Sequence, residues 1–79
     1  MKGDRMAFSQ RHMRLMLDGP TRFWTYFTDD TATKVSMRGY FEEFRSVLSV
    51  GDWIFATTST GGTILHVEEI DPLELGHPR

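Results

Sequence analysis

The run Arg22-Phe23-Trp24-Thr25-Tyr26-Phe27-Thr28 constrains this chain more than any other segment. Aromatic residues and threonine suit a pleated surface, so the run reads as a β-strand. Side chains alternate along a strand, which puts Phe23, Thr25 and Phe27 on one face and Trp24 and Tyr26 on the other. Both faces are therefore apolar, and a strand of that kind asks for cover on both sides. Trp24 and Tyr26 carry polar atoms, so partial exposure at a sheet surface also suits them. A chain of 79 residues has little material for a second layer. It buries only about 60–65% of the surface its unfolded form exposes. Small domains compensate with disulfides, a metal or association. With no cysteine in the sequence, disulfides and thiolate zinc sites are excluded, and association is the remaining support.

The other elements follow from periodicity and punctuation. Asp29-Asp30-Thr31 is a turn signal, and the alternation of Thr33, Val35 and Met37 predicts a short strand. Tyr40, Phe44, Val47 and Leu48 fall at i, i+4, i+7 and i+8, with Phe41 widening the stripe. That spacing predicts a helix over about 39–48, with Glu42 and Glu43 in its first turn and Gly51 as its stop. Asp52 to Thr58 is a second strand, with Trp53, Phe55 and Thr57 opposed to Ile54, Ala56 and Thr58. Ser59-Thr60-Gly61-Gly62 then predicts a hairpin loop, and Thr63 to Glu68 returns with Leu65 and Val67 opposed to Ile64 and His66. Met13, Met16 and Leu17 allow one or two helical turns before Asp18-Gly19-Pro20 breaks them. The expected fold class is α+β, mainly β: a small antiparallel sheet or open barrel with one short helix and an extended N-terminal arm. Residues 1–20 form that basic arm, 21–70 the β-rich domain, and 71–79 a C-terminal tail.

Charge is split along the chain. Residues 1–28 hold five Lys or Arg against two Asp, and residues 29–79 hold four against nine acids. A basic arm on an acidic body can bind an acidic surface, including a neighbouring copy, although a plain solvated arm has the same composition. Four of the five methionines lie in the first twenty residues, and Met6 is as good a start as Met1. Methionine is adaptable and suits a segment that moulds onto a partner. Removing Met1–Leu17 is then expected to leave the body folded and to weaken assembly. Six Phe, two Trp and two Tyr make the chain too aromatic for disorder. No run reaches the roughly 18 apolar residues of a membrane span, and no apolar stretch follows the N-terminal charges as in a secretory signal. A product made in the cytoplasm, with no membrane partner, is expected.

No catalytic set stands out. His12, His66 and His77 share no metal-ligand spacing, so no metal and no cofactor is expected. Ser59, His66 and Asp71 can be written as a triad, but no nucleophile elbow surrounds the serine. Gly61-Gly62 joins two strands and is not followed by the lysine of a phosphate loop. Phe23, Trp24, Tyr26, Trp53 and Phe55 resemble a base-stacking surface in type. The acidic body argues against nucleic acid as a partner. The chain does not read as an enzyme.

Three stretches carry a resemblance: Gly39-Tyr40-Phe41, then Leu48-Ser49-Val50-Gly51-Asp52-Trp53-Ile54, then Gly61-Gly62-Thr63-Ile64-Leu65-His66-Val67, with Thr31-Ala32-Thr33-Lys34-Val35 as lead-in. The pattern over residues 23–67 resembles small structural proteins of tailed bacteriophages and prophages. Arg38, the Glu42-Glu43 pair and the longer basic arm depart from it. The resemblance implies a virion protein without catalytic residues. By that resemblance the first expectation is a capsid cement or decoration protein that stabilises the shell by bridging capsid subunits, and the alternative is the base of a head or tail fibre. It further implies a homotrimer, a major capsid protein or other virion protein as partner, and a place on the capsid. The alternative outside that group is a small nucleic-acid- or protein-binding module. The interface residues expected are Arg5, Arg11 and Arg14 as charged contacts of the arm, and Phe23, Trp24, Tyr26 and Trp53 as aromatic anchors.

Overall fold

The computed structural model describes residues 10–76. Five strands form one mixed sheet in chain order: β1 (Met13–Asp18), β2 (Arg22–Phe27), β3 (Trp53–Thr58), β4 (Gly61–Ile70) and β5 (Leu73–Gly76). The sheet does not close into a barrel, and the fold is mainly β. It is not wholly antiparallel: β2 and β3 run parallel, with Trp24 beside Ile54 and Tyr26 beside Ala56. A parallel neighbour needs a crossover, and residues 28–52 supply it, with one helical turn, α1 (Ala32–Val35), and a 3-10 turn at Glu42–Phe44.

The crossover lies over one face of the sheet and makes the core there. Trp24, Tyr26, Ile54, Ala56, Leu65 and Val67 point into it from the strands, each 6% exposed or less. Val35, Tyr40, Phe41, Phe44 and Leu48 meet them from the crossover. The aromatic pairs are edge-on, with Trp24 against Phe44 at 5.2 Å and Tyr26 against Phe41 at 5.2 Å between ring centroids. Such pairs add roughly 0.5–1.5 kcal/mol beyond the area they bury.

Four further expectations from the sequence change. Residues 32–35 are helix, where a strand was expected at Thr33 to Met37. The Thr31 hydroxyl caps the turn by accepting the Lys34 amide at 3.1 Å, and Val35 is buried from it. The helix expected over 39–48 is a chain of turns with the 3-10 segment inside it. Its bonds run mainly i to i+3, as from the Phe44 amide to the Phe41 carbonyl. Tyr40 and Phe41 are adjacent and both buried, which a single regular helical stripe does not provide. Of the apolar stripe, Tyr40, Phe41, Phe44 and Leu48 are core, while Val47 is 41% exposed. Residues 13–18, expected in the arm, form β1 against β2, and Met13 is buried opposite Tyr26. A cut after Leu17 therefore falls inside the sheet. Finally, part of the expected tail is β5, which returns after Asp71-Pro72 and buries Leu73.

One carboxylate ties the crossover to the strands. Asp52, 3% exposed, accepts Arg22 Nε at 3.2 Å on Oδ1. Its Oδ2 accepts Arg22 Nη2 at 2.7 Å, Trp24 Nε1 at 3.0 Å and the Ser49 amide at 3.0 Å. Arg22 Nη2 also donates to the Val47 carbonyl at 2.7 Å. Just before it, Gly51 holds φ at +98°, a region that favours glycine, and its amide donates to the Val67 carbonyl at 2.8 Å. Burial alone would raise the Asp52 carboxyl; the bonds from Arg22, Trp24 and the Ser49 amide outweigh it and hold the group below the ordinary carboxylate value.

Asp52→Asn is expected to destabilise the fold by about 3 kcal/mol at neutral pH, read by urea unfolding, because Arg22 loses its charged partner. The pH dependence has a fixed sign. A depressed folded value makes the Asp52 contribution complete above the unfolded value of about 3.9 and lost as pH falls through the folded one. The acid limb of the stability curve should flatten in Asp52→Asn.

Candidate interaction face

The second face of the sheet carries the residues that alternate with the core. Cross-strand register puts Leu17, Phe23 and Trp53 in one row with His66, and Arg14, Thr25, Phe55 and Ile64 in the next. Phe27 and Thr57 follow. The rings are ordered against each other: Phe23 meets Phe55 edge-on at 5.5 Å, His66 lies tilted against Trp53 at 4.5 Å, and His12 meets Phe27 edge-on at 5.8 Å. Yet Phe27 is 57% exposed, Phe55 43% and Ile64 37%. A contiguous exposed aromatic surface of this kind is a candidate interaction face.

The rims of the face differ in charge. At the β1 side Arg14 is exposed beside Thr25, and Arg11 is exposed in the 3-10 turn Gln10–His12 that precedes the strand. At the other side the Glu68 carboxylate lies over Gly76, where the β4–β5 pairing shifts register. Glu69 and Glu74 pair across the two strands next to it. Glu74 receives Arg38 Nη2 at 2.8 Å from the crossover.

The expected interface residues separate. Phe23 and Trp53 lie half-buried on the open face, and Arg11 and Arg14 stand at its basic rim. Arg5 lies outside the described residues. Trp24 and Tyr26 are in the core at 6% and 2% exposure, so they cannot serve as surface anchors. Their polar atoms are used inside: the indole donates to Asp52, and the Tyr26 hydroxyl is 3.0 Å from that of Tyr40. Phe27, Phe55 and Ile64 take the exposed positions instead. Alternation sorts these residues into faces, but it does not say which face a crossover will cover.

Polar side chains elsewhere in the fold are engaged in structural contacts. Tyr40 donates to Asp30 Oδ2 at 2.5 Å inside the core. Burial first, and then this bond, push the tyrosine hydroxyl far above its ordinary value, so it keeps its proton. The Asp30 carbonyl also accepts the Ser59 amide at 2.9 Å, which fixes the hairpin loop to the crossover. The pair is a buried brace. Ser59, His66 and Asp71 each have other neighbours: the Ser59 hydroxyl donates to the Asp30 carbonyl, His66 lies on Trp53, and Asp71 is 95% exposed near Arg45. His77 lies outside the described residues. Among the described residues no group of three His, Asp or Glu is placed to hold a metal, and no helix is long and apolar enough to cross a membrane.

Neighbouring positions on β3 give a direct contrast between the two faces. Ile54→Ala should destabilise the chain by about 3 kcal/mol, while Phe55→Ala should change it by about 1 kcal/mol or less, both read by denaturant unfolding. Comparison with known proteins finds no matching family model, no matching curated protein and no matching solved structure.

Proposed function

We propose that this chain is a structural component of a bacteriophage or prophage virion, a capsid cement or decoration protein that acts through its open aromatic face. The single observation behind this reading is the exposure of Phe27, Phe55 and Ile64 beside Phe23 and Trp53 on one side of a well-braced sheet. An assembly protein gains its affinity by burying such a surface, with aromatic residues at the centre and charges at the rim. The resemblance over residues 23–67 supplies the virion context, including a major capsid or other virion protein as partner and self-association of the chain. High copy number then turns a modest contact into large total stabilisation of a shell. A fibre base at the head or tail is the same reading at another location.

A second reading, a nucleic-acid-binding module, is favoured by one specific arrangement: Phe23, Trp53 and Phe55 on a sheet face with Arg14 beside them, the geometry on which unpaired bases stack. The acidic rim at Glu68 and Glu69 opposes it, because a phosphate backbone would run against like charge.

Fractionation of particles from the source strain, probed with an antibody to the chain, tests the proposal. The chain should sediment with assembled heads in a fixed ratio to the major capsid protein, and Phe55→Lys should remove it. Recovery with tails alone would move it to a fibre or tail base. Absence from every particle, with salt-dependent binding to single-stranded oligonucleotide, would overturn the virion reading in favour of the binding module.

A further inference from the structure

We infer that the open aromatic face carries a pH-sensitive switch: protonation of His66, with His12 as a second group, charges an otherwise apolar surface and lowers its affinity for an apolar partner surface. The inference rests on reading that face as a contact surface, and it names what regulates the contact.

The placement of the histidines carries the argument. Both described histidines lie on this face, each with its ring against one of the aromatic residues there. They occupy opposite ends of it. His12 meets Phe27 edge-on at 5.8 Å at one end. His66 lies against Trp53 at 4.5 Å at the other, in the row that holds Leu17 and Phe23. His66 is half-buried and His12 exposed. Imidazole is the side chain that ordinarily changes charge between about pH 5 and 8. A neutral ring continues the aromatic surface around it; a protonated ring puts a full charge there.

The surroundings rank the two groups. His66 has Ile64 and Glu68 beside it on β4, faces Trp53 on β3 and pairs with Gly76 on β5. Gly76 has no side chain, and the Glu68 carboxylate lies over it. His12 follows Arg11 directly and precedes Arg14 by two positions, and the ring it meets on β2 is uncharged. That corner is already basic, so a further proton changes it less than one on His66 changes the Trp53 row. Among the described residues neither imidazole forms an ion pair. Neither is therefore committed to a charged partner within the fold.

The sign follows from desolvation. On the uncovered face an imidazolium keeps its water, and the indole that His66 lies on tolerates a cation. Under an apolar surface it loses that water and gains no partner. Contact therefore favours the neutral ring, and by linkage a lower pH weakens the contact. A tenfold preference of the covered face for the neutral ring becomes about a tenfold loss of affinity once the free ring is protonated.

The test reads the full chain on an uncharged phenyl matrix between about pH 8 and 5.5, with circular dichroism at each pH to confirm folding. Partition of the wild type onto the matrix should fall about tenfold over that range. His66→Gln should remove most of the fall, and His12→Gln a smaller part. His66→Phe, which keeps a ring on Trp53, should bind well at both ends of the range. His77→Gln, outside the described residues, should leave the fall intact. Phe55→Lys should bind weakly at every pH, which identifies the open face as the surface being read. A wild-type partition that does not change with pH would overturn the inference, and so would one that rises as pH falls. A fall that persists in the His12→Gln, His66→Gln double variant would overturn it too, as would Phe55→Lys binding like the wild type. Particle fractionation reads the virion proposal separately, so each can fail without the other.

Discussion

The Asp52 carboxylate is the interaction on which this fold depends. A parallel pair of strands at the centre of so small a sheet forces a crossover of some twenty-five residues, spanning 28–52. That crossover is mostly turns whose backbone bonds are local, and the backbone bonds that join it to the sheet lie near its ends, at Thr28, Asp30, Gly51 and Asp52. Asp52 closes its far end by accepting from Arg22 and Trp24 on β2 and from the Ser49 amide within the crossover itself. Asp30 closes the near end through Tyr40 and the hairpin loop. A buried carboxylate without partners would be strongly destabilising; with several donors it specifies one geometry.

Bracing the crossover on one face leaves the other face bare. Every strand residue that does not point at the crossover points away from it, and on β2 and β3 those residues are Phe23, Thr25, Phe27, Trp53, Phe55 and Thr57. The two-faced aromatic strand therefore serves two purposes. Trp24 and Tyr26 are the inner half, packed on Phe44, Tyr40 and Phe41. Phe23 and Phe27 are the outer half, and they make the open face apolar. On the proposed reading the function lies in that open surface, and the buried carboxylates are supports.

Much of the sheet was legible in the sequence. Period-two alternation identified β2, β3 and β4 and sorted their residues into the two faces, and the Ser59-Thr60-Gly61-Gly62 turn placed the β3–β4 hairpin. The apolar spacing of Tyr40, Phe44 and Leu48 found core residues even though the backbone there winds in turns. Three things lay beyond local pattern. Thr33 to Met37 alternates like a strand, but the Thr31 cap and the burial of Val35 decide for a helical turn. The β1 strand is polar enough to read as an arm, and only its pairing with β2 makes it part of the sheet. Above all, alternation is symmetric between faces. Trp24 and Phe23 look equally available until the side covered by the crossover is known, and that side is marked by contacts far apart in sequence, such as Asp52 with Arg22 thirty positions away.

The most direct measurement is solvent paramagnetic relaxation enhancement on the aromatic and methyl protons of the folded chain. The fold predicts strong enhancement at Phe27, Phe55 and Ile64 and little at Trp24, Tyr26 and Ile54. Strong enhancement at Trp24 and Tyr26 with Phe55 and Ile64 protected would contradict it.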